Sequence, residues 1–124
     1  MKSLSFIAVL FFSIFTTSAS FAQTAEAMPA VKYETIKVWG NCGMCKETIE
    51  ASAKKAGATT ADWNEESKDL KVTYAVNKTS SEKIQKKIAK AGYDTKDFTA
   101  TDKAYNALHG CCKYDRKDAA PVAN

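Results

Sequence analysis

The run Ile36-Lys37-Val38-Trp39-Gly40-Asn41-Cys42-Gly43-Met44-Cys45-Lys46 decides how the rest of the chain is read. Ile36 and Val38, two positions apart, give a strand with one buried face. Gly40-Asn41 breaks that strand, and Cys42-Gly43-Met44-Cys45 opens a helix. Residues i and i+3 are neighbours at a helix start, so the two thiols share one face. The free amides there and the positive end of the helix dipole favour anions, which biases both cysteines toward thiolate. Thiolate is the form that binds soft metals and also the form that attacks disulfides, so the remaining sequence must decide between those uses.

Working outward, the spacing predicts a strand over 31–39 and a helix over 43–56, with Cys45, Ile49, Ala53 and Ala56 as one stripe and Gly57 ending it. Cys45 then lies at the edge of the buried stripe, and Cys42 is the more exposed thiol. A short strand with Trp63 is expected over 59–64, then a polar turn, Glu65 to Asp69. Strict alternation of Leu70, Val72, Tyr74 and Val76 marks a third strand. Thr79-Ser80-Ser81-Glu82 reads as a capping box for a second helix with Ile84, Ile88 and Ala91 on its apolar face. Gly92 ends that helix, and Tyr93–Phe98 can form a fourth strand. This order predicts an α+β, ferredoxin-like βαββαβ sandwich, a four-stranded antiparallel sheet with two helices on one face, plus a short C-terminal helical tail. A core of this size should be only modestly stable. The topology also sets Gly92-Tyr93-Asp94 beside the cysteine loop. There Tyr93 shields or hydrogen-bonds the thiols, or serves as an ordinary half-buried strand aromatic.

The expected layout is a signal peptide at 1–22, a flexible leader at 23–30, a folded domain at 31–98 and a tail at 99–124. Met1-Lys2, the apolar run Leu4–Phe15 and Ser20-Phe21-Ala22 carry the secretory pattern, and the run is shorter than the roughly 20 residues of a membrane span. The expected location is therefore periplasmic or secreted. Four cysteines in an oxidising compartment could make two structural disulfides. Both pairs are close in sequence, however, so local bonds would close only short loops and stabilise little. The 124 residues carry 18 basic and 14 acidic side chains. The lysines are interleaved with acids and form no aromatic-plus-basic stripe, which argues against nucleic acid.

Ile36-Lys37-Val38-Trp39-Gly40 leading into Cys42-x-x-Cys45, Trp63-Asn64 before Leu70-x-Val72-x-Tyr74, and Ala91-Gly92-Tyr93-Asp94 together resemble the heavy-metal-associated domain over residues 34–98. That family includes small copper chaperones and the periplasmic mercury-binding protein. The resemblance implies Cys42 and Cys45 as the ligands of a near-linear bis-thiolate site for a soft ion, Cu(I) first, with Hg(II) or Zn(II) as alternatives. It implies no enzyme activity. The expected partner is a metal transporter or efflux component, and the chain is expected to be monomeric, without stable membrane insertion after cleavage. Lys46 and Tyr93 are expected close behind the ligands, Lys46 to offset negative charge or simply as a solvated lysine. The family motif is Gly-Met-x-Cys-x-x-Cys, its Met a buried prop under the loop. Trp39-Gly40-Asn41-Cys42 lacks that Met or has a loop one residue shorter, which bears on loop geometry more than on metal binding.

The tail departs from the family. Thr101 can cap a short helix through Leu108, with Tyr105 and Leu108 on one side, followed by His109-Gly110-Cys111-Cys112 and a charged, Ala-rich end expected to be disordered. A helix of about nine residues rises roughly 14 Å, enough to return Cys111 and Cys112 toward Cys42 and Cys45. They are candidate additional ligands, with His109 a further one. Alternatively they are disulfide-linked to the C-x-x-C, and His109 merely ends the helix.

Two rival functions remain on the residues alone. A thiol–disulfide oxidoreductase would use the same C-x-x-C, and Trp39 ahead of it is similar to a thioredoxin site; but no proline lies between Pro29 and Pro121 to face it. Structural zinc is the other, disfavoured by the adjacent Cys111-Cys112, because paired zinc ligands usually leave two to four residues between them.

Overall fold

Short alternating strands and two amphipathic helices assemble as β1 (Val31–Lys37), α1 (Gly43–Lys55), β2 (Thr60–Trp63), β3 (Asp69–Ala75), α2 (Ser81–Lys90) and α3 (Asp102–Asn106), with one 3-10 turn at Gly110–Cys112. The computed structural model describes residues 28–117. The expected signal peptide, most of the leader and the end of the chain from 118 lie outside the described residues.

The sheet is antiparallel in the order β1-β3-β2, paired from Val31↔Ala75 to Lys37↔Asp69 and from Thr60↔Thr73 to Trp63↔Leu70. Alternation buries Leu70, Val72 and Tyr74 of β3 and Ile36 of β1, and α1 and α2 cover that face with Ile49, Ala53, Ile84 and Ile88. Each large apolar side chain so buried contributes about 1.5–3 kcal/mol. Ser80, rather than Thr79, caps α2 by accepting from the Lys83 amide. Thr79 instead donates to the Ala56 carbonyl at the end of α1, 2.5 Å away, so adjacent residues serve two different helices.

The expected fourth strand is not formed. Only Val38 and Thr95 pair, flanked by Trp39 N–H to Asp94 O and Lys96 N–H to Lys37 O, each 2.9 Å. The chain turns at once, because the Thr95 amide donates to Phe98 O at 2.7 Å and Gln85 Oε1 takes the Asp97 amide at 3.0 Å. The sheet therefore has three strands, and tail side chains take backbone groups of the segment that would have been the fourth. Tyr114 is buried, its hydroxyl accepting from the Asp94 amide (2.8 Å) and donating to Gly92 O (2.7 Å). Its ring stacks on Tyr93, centroids 5.7 Å apart, and meets the edge of Tyr105 at 5.1 Å. Gly92 has φ +108°, and a Cβ there would stand 2.8 Å from the Ala104 carbonyl oxygen. Glycine thus both ends α2 and lets α3 approach.

The charged segment expected to be disordered begins ordered. Lys117 donates to Thr95 O at 2.7 Å. Arg116 forks onto the fully buried carboxylate of Asp94, Nε to Oδ2 at 3.1 Å and Nη2 to Oδ1 at 2.9 Å, and pairs with Asp102 at 2.7 Å. Burial alone would raise the Asp94 carboxyl, but the guanidinium and the Ala100 amide outweigh it and hold it below the usual carboxylate range. A carboxyl with a depressed folded pKa stabilises above its unfolded value of about 3.9 and loses that contribution as the pH falls through the folded value. Arg116→Met leaves the carboxylate buried without its partner and should lower stability at pH 7 by about 3 kcal/mol. Urea unfolding at pH 7 and pH 3 should show the gap to wild type narrowing at the lower pH, as protonation removes the uncompensated charge.

Candidate metal centre

The strand-to-helix transition places the thiols. Cys42 is the N-cap of α1 in extended backbone, and Cys45, one turn in, is fully buried at the end of the stripe that continues through Ile49. Cys42 is half-buried. Their sulfurs are 3.6 Å apart. The tail brings a third: Cys112 Sγ is buried and 3.9 Å from Cys42 Sγ, and the sulfurs of Cys42, Cys45 and Cys112 all lie within 4.8 Å of one another. All four cysteines are free thiols, so the alternative of a disulfide between the tail and the C-x-x-C is not what the structure holds.

Cys111 faces outward, its sulfur 3.9 Å from Cys112 Sγ and 3.5 Å from Met44 Sδ. Its carbonyl accepts from Asn41 Nδ2 at 3.1 Å, which ties the tail to the cysteine loop. His109 is exposed at the start of the 3-10 turn, and the three-thiol group does not include it.

The amides of Cys45 and Met44 point at Cys42 and draw its pKa below the ordinary thiol value, the Cys45 amide most strongly. Burial does the opposite to Cys112, pushing it up to about 12. Burial first, and then the neighbouring Cys45, raises Tyr93 well above the usual phenol range, so it stays a neutral hydroxyl against Cys45 and Cys112. Lys46 is turned elsewhere: its ammonium binds Asp62 Oδ1 and the Trp63 carbonyl at 2.7 Å and Glu50 Oε1 at 2.8 Å. The helix amides, rather than this lysine, are the positive groups facing Cys42.

The loop rests on Trp63. Its indole N–H donates to Val38 O at 3.0 Å, and a Cβ at Gly40 would fall 2.8 Å from the ring. The space that a side chain at position 40 would take is filled by the indole, which explains how the loop does without a methionine there. Neither Trp63 nor the anchors Asp94, Tyr114 and Arg116 stand out as site residues in the sequence. The available signals were an acid in a segment read as a strand, which strands disfavour, and paired tyrosines in an otherwise polar tail.

Residues 41–94 match the heavy-metal-associated domain. Among solved structures, oxidized MerP from Ralstonia metallidurans is 32% identical, covering 53% of this chain and 94% of its own, with a TM-score of 0.51. A protein of Bacillus anthracis described as copper-ion-binding is 27% identical over 56% of this chain and 100% of its own, TM-score 0.52. The CopZ metallochaperone is 32% identical over 52% of this chain and 98% of its own, TM-score 0.49. No curated protein sequence matches. The chain belongs to the heavy-metal-associated domain family. Cys111 and Cys112 lie beyond the matched residues.

Gly40→Met should destabilise by about 1–3 kcal/mol through overpacking against Trp63. In a Trp63→Leu background the same change should cost markedly less. A double-mutant cycle of urea unfolding free energies reads that coupling directly.

Proposed function

We propose that the protein carries a soft closed-shell ion, Cu(I) or Hg(II), on the thiolates of Cys42, Cys45 and Cys112. It passes the ion by ligand exchange to a metal transporter or efflux component outside the cytoplasm. The observation that carries this reading is the three converging sulfurs. With metal–sulfur bonds of about 2.3 Å, two sulfurs in line with an ion stand about 4.6 Å apart, and three around it about 4.0 Å. The separations of 3.6 and 3.9 Å are nearer the triangular arrangement, so the third thiol replaces the near-linear pair expected from the C-x-x-C alone.

The protonation states support capture followed by release. Cys42, with its lowered pKa and partial exposure, is the readiest of the three site thiols to bond the ion as thiolate. Cys112 keeps its proton until the metal displaces it, so loading releases protons and affinity rises with pH. Tyr93 offers a neutral hydroxyl to the thiolates that metal binding creates. Thiolates favour soft ions over zinc, which prefers a fourth, tetrahedral ligand. The copper-ion-binding protein among the similar structures agrees with that choice. Export rests on the N-terminal pattern at 1–22; among the described residues, no helix is long and apolar enough to cross a membrane.

Anaerobic competition titration of the reduced protein with Cu(I), Hg(II) and Zn(II) tests the reading. One-to-one soft-ion binding should vanish in Cys42→Ser/Cys45→Ser. In Cys112→Ser it should weaken by more than about 100-fold, beyond the range of a residue that only supports a ligand. Wild-type protein that binds no soft ion but exchanges disulfides rapidly would be an oxidoreductase instead.

A further inference from the structure

One sulfur pair is left over by the three-thiolate site. Cys111 is exposed, Met44 is 47% exposed, and the two sulfurs stand 3.5 Å apart on the outer side of the loop. Cys111 Sγ is in turn 3.9 Å from Cys112 Sγ, Cys112 is 3.9 Å from Cys42, and Cys42 is 3.6 Å from Cys45. The line starts at exposed Cys111, passes Cys112 at 3% exposure and half-buried Cys42, and ends at Cys45 at 0% exposure. Five sulfur atoms thus form an unbroken path from solvent to core, with every step close to the spacing of two sulfurs sharing one ion. The path is held in register by Asn41, which donates to the Cys111 carbonyl from the loop beside Cys42.

Resting on the proposed soft-metal function, we propose that Cys111 and Met44 form an outer docking port through which Cu(I) enters and leaves, and that Cys112 is the sulfur shared between port and inner site. Thiolate and thioether are both soft donors suited to Cu(I), and the thioether binds without surrendering a proton. In the first step Cys111 Sγ bonds to the ion, releases its proton to water and displaces a ligand of the donor, while Met44 Sδ supports the ion. Cys112 then bonds and loses its proton, the Met44–metal and Cys111–metal bonds break, and Cys111 regains a proton. Bonding to Cys42 and Cys45 completes the transfer with loss of their protons. The copper remains Cu(I) throughout. Export reverses the order, so a partner needs to reach only the exposed sulfur.

A port lowers the barrier to exchange without contributing to the final site, so its removal should change rates and leave affinity alone. The probe is Cu(I) bound to bathocuproine disulfonate, with loss of visible absorbance followed by stopped flow and the endpoint giving affinity. Cys111→Ser and Met44→Leu are surface changes outside the three-thiolate site. Transfer should slow by about tenfold or more in Cys111→Ser, since a nearby positioned ligand raises the local concentration of the attacking group, and by less in Met44→Leu, with endpoints matching wild type. Unchanged rates in both variants would overturn the port and leave the inner site standing. A weakened endpoint in Cys111→Ser would also overturn it, making Cys111 a resident ligand. Wild type that removes no copper at all would overturn the three-thiolate function and the port with it.

Discussion

The buried carboxylate of Asp94 is the point on which the site depends. Alone in that position it would be too costly to ionise; here the carboxylate and the backbone of the same residue are both fully partnered. Its oxygens take the Arg116 guanidinium and the Ala100 amide, its own carbonyl takes the Trp39 amide, and its amide is taken by the Tyr114 hydroxyl. One residue therefore fixes the end of the first strand, the start of the tail and the segment just after the cysteine pair. Cys42 and Cys112 meet because the chain stretches that carry them are both tied to this residue, the first through its backbone carbonyl and the second through its backbone amide and its carboxylate. The polar network is fully satisfied, with no buried side-chain nitrogen or oxygen lacking a partner among the described residues, and such networks specify one arrangement well.

The second constraint is steric. A metal loop between a strand and a helix needs support beneath it, and here support comes from the far side of the core. Trp63 reaches under Gly40 from β2, and its indole N–H closes on Val38. The same region holds Lys46, whose ammonium joins α1 to β2 through Asp62 and the Trp63 carbonyl. The lysine next to the cysteines thus braces the scaffold, and the electrostatics of the thiols are left to backbone dipoles and burial.

Periodicity was enough to read the strands, the two long helices and the relative exposure of Cys42 and Cys45, because these follow from local patterns of two and 3.6 residues. The glycines at 57 and 92 marked the helix ends, where φ is indeed positive. The fourth strand failed because Gln85, a residue on α2 with no strand signal, captures the chain at Thr95 and Asp97. Tyr114 and Arg116 were invisible for a related reason. Their partners lie about twenty residues away, and no local pattern records a hydrogen bond over that separation. The return of Cys112 was legible only as a length argument, since a short helix could span the distance but could not say which of two adjacent thiols would face inward.

Cys42 and Cys112 are 70 positions apart in sequence. An ion bonded to both would be a covalent clasp closing a loop around most of the folded domain. In the chain-entropy view, closing a loop of this length restricts the unfolded chain by about 4 kcal/mol. Loading would therefore convert a small, modestly stable domain into a topologically fastened one, and unloading would undo the fastening. Cellular proteases that act on open chains would then spare the laden carrier and preferentially clear the empty one.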